Sequence, residues 1–299
     1  MRPAPWIRDS RLLLAVCVAA PFAAGCTEGT GTPGSRPAAF AVRHLSPHAN
    51  ERLAPLRIAF GHQSVGDDII AGIGEVLRES GLPEITITET AHLAAGGAGI
   101  LHFRVGRNGD PAGKVDHFAA VVDAAAATPP DVALLKLCYA DAAAGTDVRR
   151  VFEHYRRTTA ALQARHPTTI FVHATMPLRT VQTGWKVPLK RLAGREPGGY
   201  ADNARRHEYN ELLRSEYRGR APLFDLAAIE ATLPDGGSLT LAHRGVPFAS
   251  MVPDYSSDGG HLNPLGRRLV AERFLALLAQ LAGGPPTERP GSRTPTGTP

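Results

Sequence analysis

The chain has 299 residues, 43% of them hydrophobic and 20% charged, and a formal net charge of +5 at pH 7. Its basic residues are scattered and form no Lys/Arg-rich stripe with aromatics interleaved, which argues against nucleic acid as a partner. About 230 residues lie between two tracts of biased composition, long enough for one substantial core, and no internal repeat divides them.

Residues 1–25 carry Arg2, Arg8 and Arg11, then the apolar run Leu12 to Ala20, then Phe22-Ala23-Ala24-Gly25 before Cys26. A charged start, a short apolar centre and a small-residue exit predict an export signal, too short to span a membrane. Cys26 after Ala24-Gly25 resembles a bacterial lipoprotein cleavage site, with Ala23 where Leu is usual. Two outcomes stay open: a cell-envelope lipoprotein whose acyl chains on Cys26 are its only hold on the membrane, or a cleaved, secreted protein. Loss of the signal's three Arg and of Asp9 lowers the charge by two, from +5 to about +3. Cys17 leaves with the signal and Cys26 would be acylated, so Cys138 has no partner for an intramolecular disulfide. Residues 26–52, rich in Gly, Thr, Pro, Ser and Ala, predict a flexible linker, and residues 284–299 a disordered tail.

Residues 53–283 alternate strand and helix patterns. Strands are predicted at 57–60, 85–89, 132–137, 169–174 and 222–226, and helices at 67–80, 113–126, 147–165, 203–218 and 265–282, with a Gly-rich loop after the second strand. Such alternation predicts an α/β fold: a mostly parallel sheet between two layers of helices. Asp235-Gly236, with the apolar alternation Ser238 to Leu241, suggests a small hairpin. An insertion from Met176 to Tyr200 reads as a lid, a specificity element or a mobile loop. Its basic residues Arg179, Lys186, Lys190, Arg191 and Arg195, against Glu196 alone, either attract an anionic substrate or form a plain solvated surface.

The polar cluster His62-Gln63-Ser64 falls on the turn between the first strand and the first helix. In open α/β sheets ligands bind at that edge, where a helix start offers free N–H groups. Ser64 is placed to be a nucleophile, although serine is also an ordinary turn residue. Just before the last helix the chain reads Ser257-Asp258-Gly259-Gly260-His261-Leu262-Asn263-Pro264. Asp258 and His261, three apart in a Gly-containing loop, can fold so that the carboxylate holds one ring nitrogen while the other faces outward.

A serine after the first strand and an Asp-x-x-His before the last helix resemble the SGNH (GDSL-type) hydrolases, over roughly residues 53 to 283. The resemblance implies a three-layer α/β/α sandwich with a flavodoxin-like sheet, and an esterase or carbohydrate deacetylase needing neither metal nor cofactor. It also implies Ser64 as nucleophile, His261 as general base and Asp258 as its orienting carboxylate. Two blocks depart from the family pattern. Gly61-His62-Gln63-Ser64 stands for Gly-Asp-Ser, and Cys138-Tyr139-Ala140-Asp141 stands for Gly-x-Asn-Asp, leaving Ala140 where an oxyanion-binding Asn belongs.

In that Asn's place, the backbone N–H of Ser64 together with that of Gly106 or Gly109, and the side chain of Asn108, can form the oxyanion pocket. Asn108-Gly109 is equally well read as a plain turn. His62, Gln63, Tyr139 and Asp141 are candidates for substrate contact, with His62 alternatively bonding the turn and Asp141 ordering its loop. The expected substrate is a small-molecule or polysaccharide ester. Two rival readings stay open: an acyltransferase on the same fold, and an inactive carbohydrate-binding module.

Overall fold

The computed structural model describes residues 51–80 and 85–283. The export signal, Cys26, nearly all of the linker and the tail lie outside the described residues. Among those described, no helix is long and apolar enough to cross a membrane.

Six strands form one all-parallel sheet in the order β2-β3-β1-β4-β5-β6. They are β1 (Arg57–His62), β2 (Ile87–Glu89), β3 (Gly99–Arg104), β4 (Val132–Leu135), β5 (Ile170–Ala174) and β6 (Leu223–Phe224). The helices are α1 (Ser64–Ser80), α2 (Pro111–Asp123), α3 (Val148–Arg165), α4 (Lys186–Leu192), α5 (Tyr200–Tyr217), α6 (Leu226–Ala231) and α7 (Pro264–Gly283). Central strands of a parallel sheet are covered on both faces, so they read as unbroken apolar runs. In β1, Ile58 and Phe60 pack into one core with Ile69 and Ile73 of α1 and Leu269 and Phe274 of α7. Ala59 joins the opposite core, with Phe118 of α2, Phe152 of α3 and Tyr209 of α5. This is the three-layer α/β/α arrangement predicted from the alternation.

β1 pairs with β3 on one side and β4 on the other, Gly61 lying opposite both Phe103 and Leu135. The chain leaves β1 toward one edge of the sheet and later fills the other, so the carboxyl end of β1 is the switch point at which such folds open a crevice. Ser64 begins the helix that leaves this point.

Several boundaries differ from expectation. β3 lies inside the stretch read as a Gly-rich loop, because Gly96, Gly97 and Gly99 mask a strand whose Ile100, Leu101 and Phe103 are buried. Gly66 was expected to precede the first helix; instead α1 starts at Ser64 and Gly66 sits in its first turn. The reason is a close approach: a Cβ at Gly66 would lie 2.3 Å from the His62 side chain. The insertion from Met176 to Tyr200 contains α4, none of whose residues is buried. The hairpin is formed by β7 (Thr240–His243) and β8 (Val246–Ala249), turning at Arg244-Gly245, both with positive φ. Asp235-Gly236 makes a separate turn closed by a Thr232–Ser238 bridge.

Candidate active site

Ser64 is the first residue of α1 and is half-buried at the end of β1. Its hydroxyl oxygen lies 3.0 Å from His261 Nε2, across 197 positions of chain. His261 Nδ1 lies 2.6 Å from Asp258 Oδ2. Since a carboxylate only accepts, Nδ1 carries the proton, and Nε2 is left to accept from the Ser64 hydroxyl.

The loop around His261 is built by local bonds. Asp258 Oδ1 accepts the N–H groups of Gly260 and His261, both at 2.8 Å. Gly259 has φ +80°, and its carbonyl accepts the Thr180 N–H at 3.0 Å. Glycine is the residue that takes this left-handed conformation without strain, and a Cβ here would also lie 2.6 Å from Thr180 Oγ1. Asn263 then caps α7 by accepting the Gly266 N–H at 3.0 Å, with Pro264 opening the helix. The His261 hydrogen bond first, then the two N–H groups, hold the Asp258 carboxyl well below the usual carboxylate range.

Asp68 was missed by the sequence reading. It lies one helical turn after Ser64, and its Oδ2 accepts the N–H of Leu262 at 3.1 Å, while its Oδ1 accepts from Arg267 Nε at 3.2 Å. Residues four apart share a helix face, so α1 meets the histidine loop at two adjacent points. The available signal was a second Asp directly after Asp67, on the apolar face of α1.

The oxyanion pocket needs correction at one of its three members. The N–H of Gly106 donates to His117 Nδ1 at 3.0 Å, and that of Gly109 to Asp141 Oδ1 at 3.0 Å, so neither is free to receive an oxyanion. Ser64, at the start of its helix, has an amide with no intrahelical acceptor. Asn108 is exposed, and its Oδ1 accepts from Lys114 Nζ at 2.9 Å. An ammonium only donates, so this bond fixes the carbonyl end and turns the Nδ2 donors away from it.

Three of the four substrate-contact candidates serve the protein instead. His62 is fully buried, its Nε2 3.1 Å from His102 Nδ1, because the even positions of β1 face α1. Gln63 donates to the carbonyls of Val105 and Gly106 at 2.6 and 3.0 Å, tying the β3 loop to the serine turn. Asp141 is buried, accepting from Lys114 Nζ and from the Cys138 N–H at 2.7 Å. Tyr139, by contrast, is half-buried, with its ring edge-on to His261 at 5.9 Å between centroids. Cys138 is buried and free. Among the described residues, no cluster of His, Cys, Asp or Glu is arranged to hold a metal ion.

Burial pushes the His62 imidazole down to about 3 and that of His173 to about 4. Both are therefore neutral in the folded state where their unfolded counterparts, near 6.5, take up protons. The unfolded chain then binds more protons, so stability is complete above pH 6.5 and is lost as pH falls toward these values. His62→Phe should remove its share: between pH 6.5 and 4.5 denaturation free energy should fall by about 2 kcal/mol less than in the parent. Equal drops in urea-denaturation free energy for parent and variant between the two pH values would contradict a neutral, buried His62.

No family model matches the chain, and no curated protein matches it. Solved structures do. A protein from Parabacteroides merdae, provisionally described as a GDSL-like lipase, is 14% identical over 75% of this chain and 95% of its own, with a TM-score of 0.45. One from Streptococcus pneumonia, provisionally described as a platelet activating factor, is 14% identical over 78% of this chain and 88% of its own, with a TM-score of 0.42. The periplasmic domain of a lipopolysaccharide acetyltransferase from Salmonella Paratyphi A is 14% identical over 78% and 88%, with a TM-score of 0.40. Likenesses this distant leave the functional argument to the geometry of the site.

Proposed function

We propose that this chain is an exported serine hydrolase of the SGNH type, which removes a small acyl group from a carbohydrate alcohol. The observation that carries the reading is the continuous chain of contacts from Asp258 Oδ2 through His261 to Ser64 Oγ. Ser64 Oγ attacks the ester carbonyl as its proton passes to His261 Nε2, and the imidazolium formed is stabilised by Asp258. The tetrahedral oxyanion is received by the Ser64 N–H and by Asn108 Nδ2. His261 returns its proton to the departing alcohol, and water, deprotonated by the same nitrogen, then releases the acid from the acyl-enzyme.

A small acyl group on a sugar is supported by the polarity of what surrounds the serine. Gln63, Tyr139, Arg179 and Asp258 all reach solvent there, whereas a long acyl chain needs an extended apolar cleft. Export and attachment through Cys26 rest on the first 26 residues alone.

The test is labelling of the purified protein with a fluorophosphonate and location of the adduct by mass spectrometry, alongside acetate release from acetylated oligosaccharides. An adduct on Ser64 with acetate released to water supports the proposal. An unlabelled Ser64 overturns it, and transfer to an added sugar without net acetate release converts it to acyl transfer.

Asn108→Ala should lower kcat on the order of 100-fold while KM changes little, because the donor acts on charge that exists only in the transition state. An unchanged kcat would leave the oxyanion to other donors.

A further inference from the structure

We infer that Arg179 forms an anion subsite beside the triad, so that the preferred ester carries a negative charge close to the acyl group. This rests on the hydrolase reading of Ser64 and names its substrate class. Arg179 is exposed, with its guanidinium over the Tyr139 ring, 5.2 Å from the centroid. Its Nε donates at 3.3 Å to the carbonyl of Gly259, in the turn that joins Asp258 to His261. The same Tyr139 ring stands edge-on to His261. The guanidinium is thus held against the catalytic loop by both its own hydrogen bond and the ring beneath it.

What it lacks is a carboxylate. Among the described residues no acidic side chain forms an ion pair with Arg179, although Arg205 and Arg214 of α5 each have one. A second cation deepens the local field: Arg206 lies 5.8 Å from the same ring and is buried, bonding the Tyr139 carbonyl at 2.9 Å and Asn203 Oδ1 at 2.6 Å. Of the carboxylates near the two guanidinium groups, Asp258 is committed to His261, Asp202 accepts the Ala144 N–H and Glu230 the Leu178 N–H. Two guanidinium groups on one tyrosine, with Nη donors still open on the exposed one, suit a carboxylate or phosphate, which Arg binds through two parallel hydrogen bonds.

The test uses three aryl acetates of matched shape: phenyl acetate, 3-carboxyphenyl acetate and 3-(trimethylammonio)phenyl acetate. The parent should favour the carboxylate ester over the cationic one in kcat/KM by on the order of tenfold or more, chiefly through KM, and the preference should shrink with added salt. Arg179→Gln should collapse that ratio, while Arg179→Lys should keep part of it through charge alone. A phosphate-bearing phenyl acetate, run in parallel, separates phosphate from carboxylate as the preferred anion. A parent enzyme with no charge preference, or an Arg179→Gln variant that slows all three esters alike, overturns the subsite. Failure to hydrolyse any of them counts against the hydrolase reading instead.

Discussion

Ser64→Ala should reduce ester turnover on the order of 10⁴- to 10⁶-fold, and His261→Ala by a similar factor, because attack needs both the oxygen and the group that takes its proton. The double variant should be no slower than the worse single one, since members of a unit that act together are not additive. Asp258→Asn should cost less. Its side chain is 57% exposed, against 40% for His261, so water already shields part of the charge that would stabilise the imidazolium. Its remaining work is orientation, shared with the two N–H bonds that shape the turn. Initial rates of ester hydrolysis, followed as acid released, measure all four variants on one scale. A Ser64→Ala protein that retains ester turnover within tenfold of the parent would remove the serine from the chemistry.

The two ends of the contact chain from Asp258 through His261 to Ser64 were legible because each is a local signal: a polar turn ending an apolar strand, and an Asp-x-x-His beside a helix cap. Their meeting depends on α1 and α7 packing together on one face of the sheet. The surrounding shell was not legible, because it depends on which face of a strand a residue occupies. His62 lies two residues from Ser64 in sequence, yet the alternation that buries Ile58 and Phe60 buries it as well. Gly106 and Gly109 looked like free donors because glycine-rich loops often supply them; the acceptors that occupy them, His117 and Asp141, come from elements whose approach no local pattern encodes. β3 was hidden for a related reason. A strand flanked by glycines and paired on both sides gives no period-two pattern.

Lys114→Met should be the most damaging single substitution for stability, costing about 3–5 kcal/mol. Lys114 and Asp141 are both completely shielded from solvent in their side chains. The ammonium donates to Asp141 Oδ1 at 2.8 Å, to Oδ2 at 2.7 Å and to Asn108 Oδ1 at 2.9 Å, which uses all three of its protons. Asp141 also accepts the N–H groups of Cys138 and Gly109, so the pair ties the loop after β3 to the loop after β4. Removing the lysine leaves a carboxylate in a dry interior without its hydrogen-bonded counter-charge, and this poorly compensated burial is the larger part of the loss. Lys114→Met with Asp141→Leu should therefore recover much of it, short of about 1–3 kcal/mol for each N–H left without an acceptor. The double variant should nevertheless turn over slowly, because Asn108 has lost the bond that turns its amide outward. Urea denaturation and kcat on one preparation distinguish the two effects. A Lys114→Met protein destabilised by less than about 1 kcal/mol would mean that water reaches the pair, and a double variant with parental kcat would detach the network from the proposed oxyanion pocket.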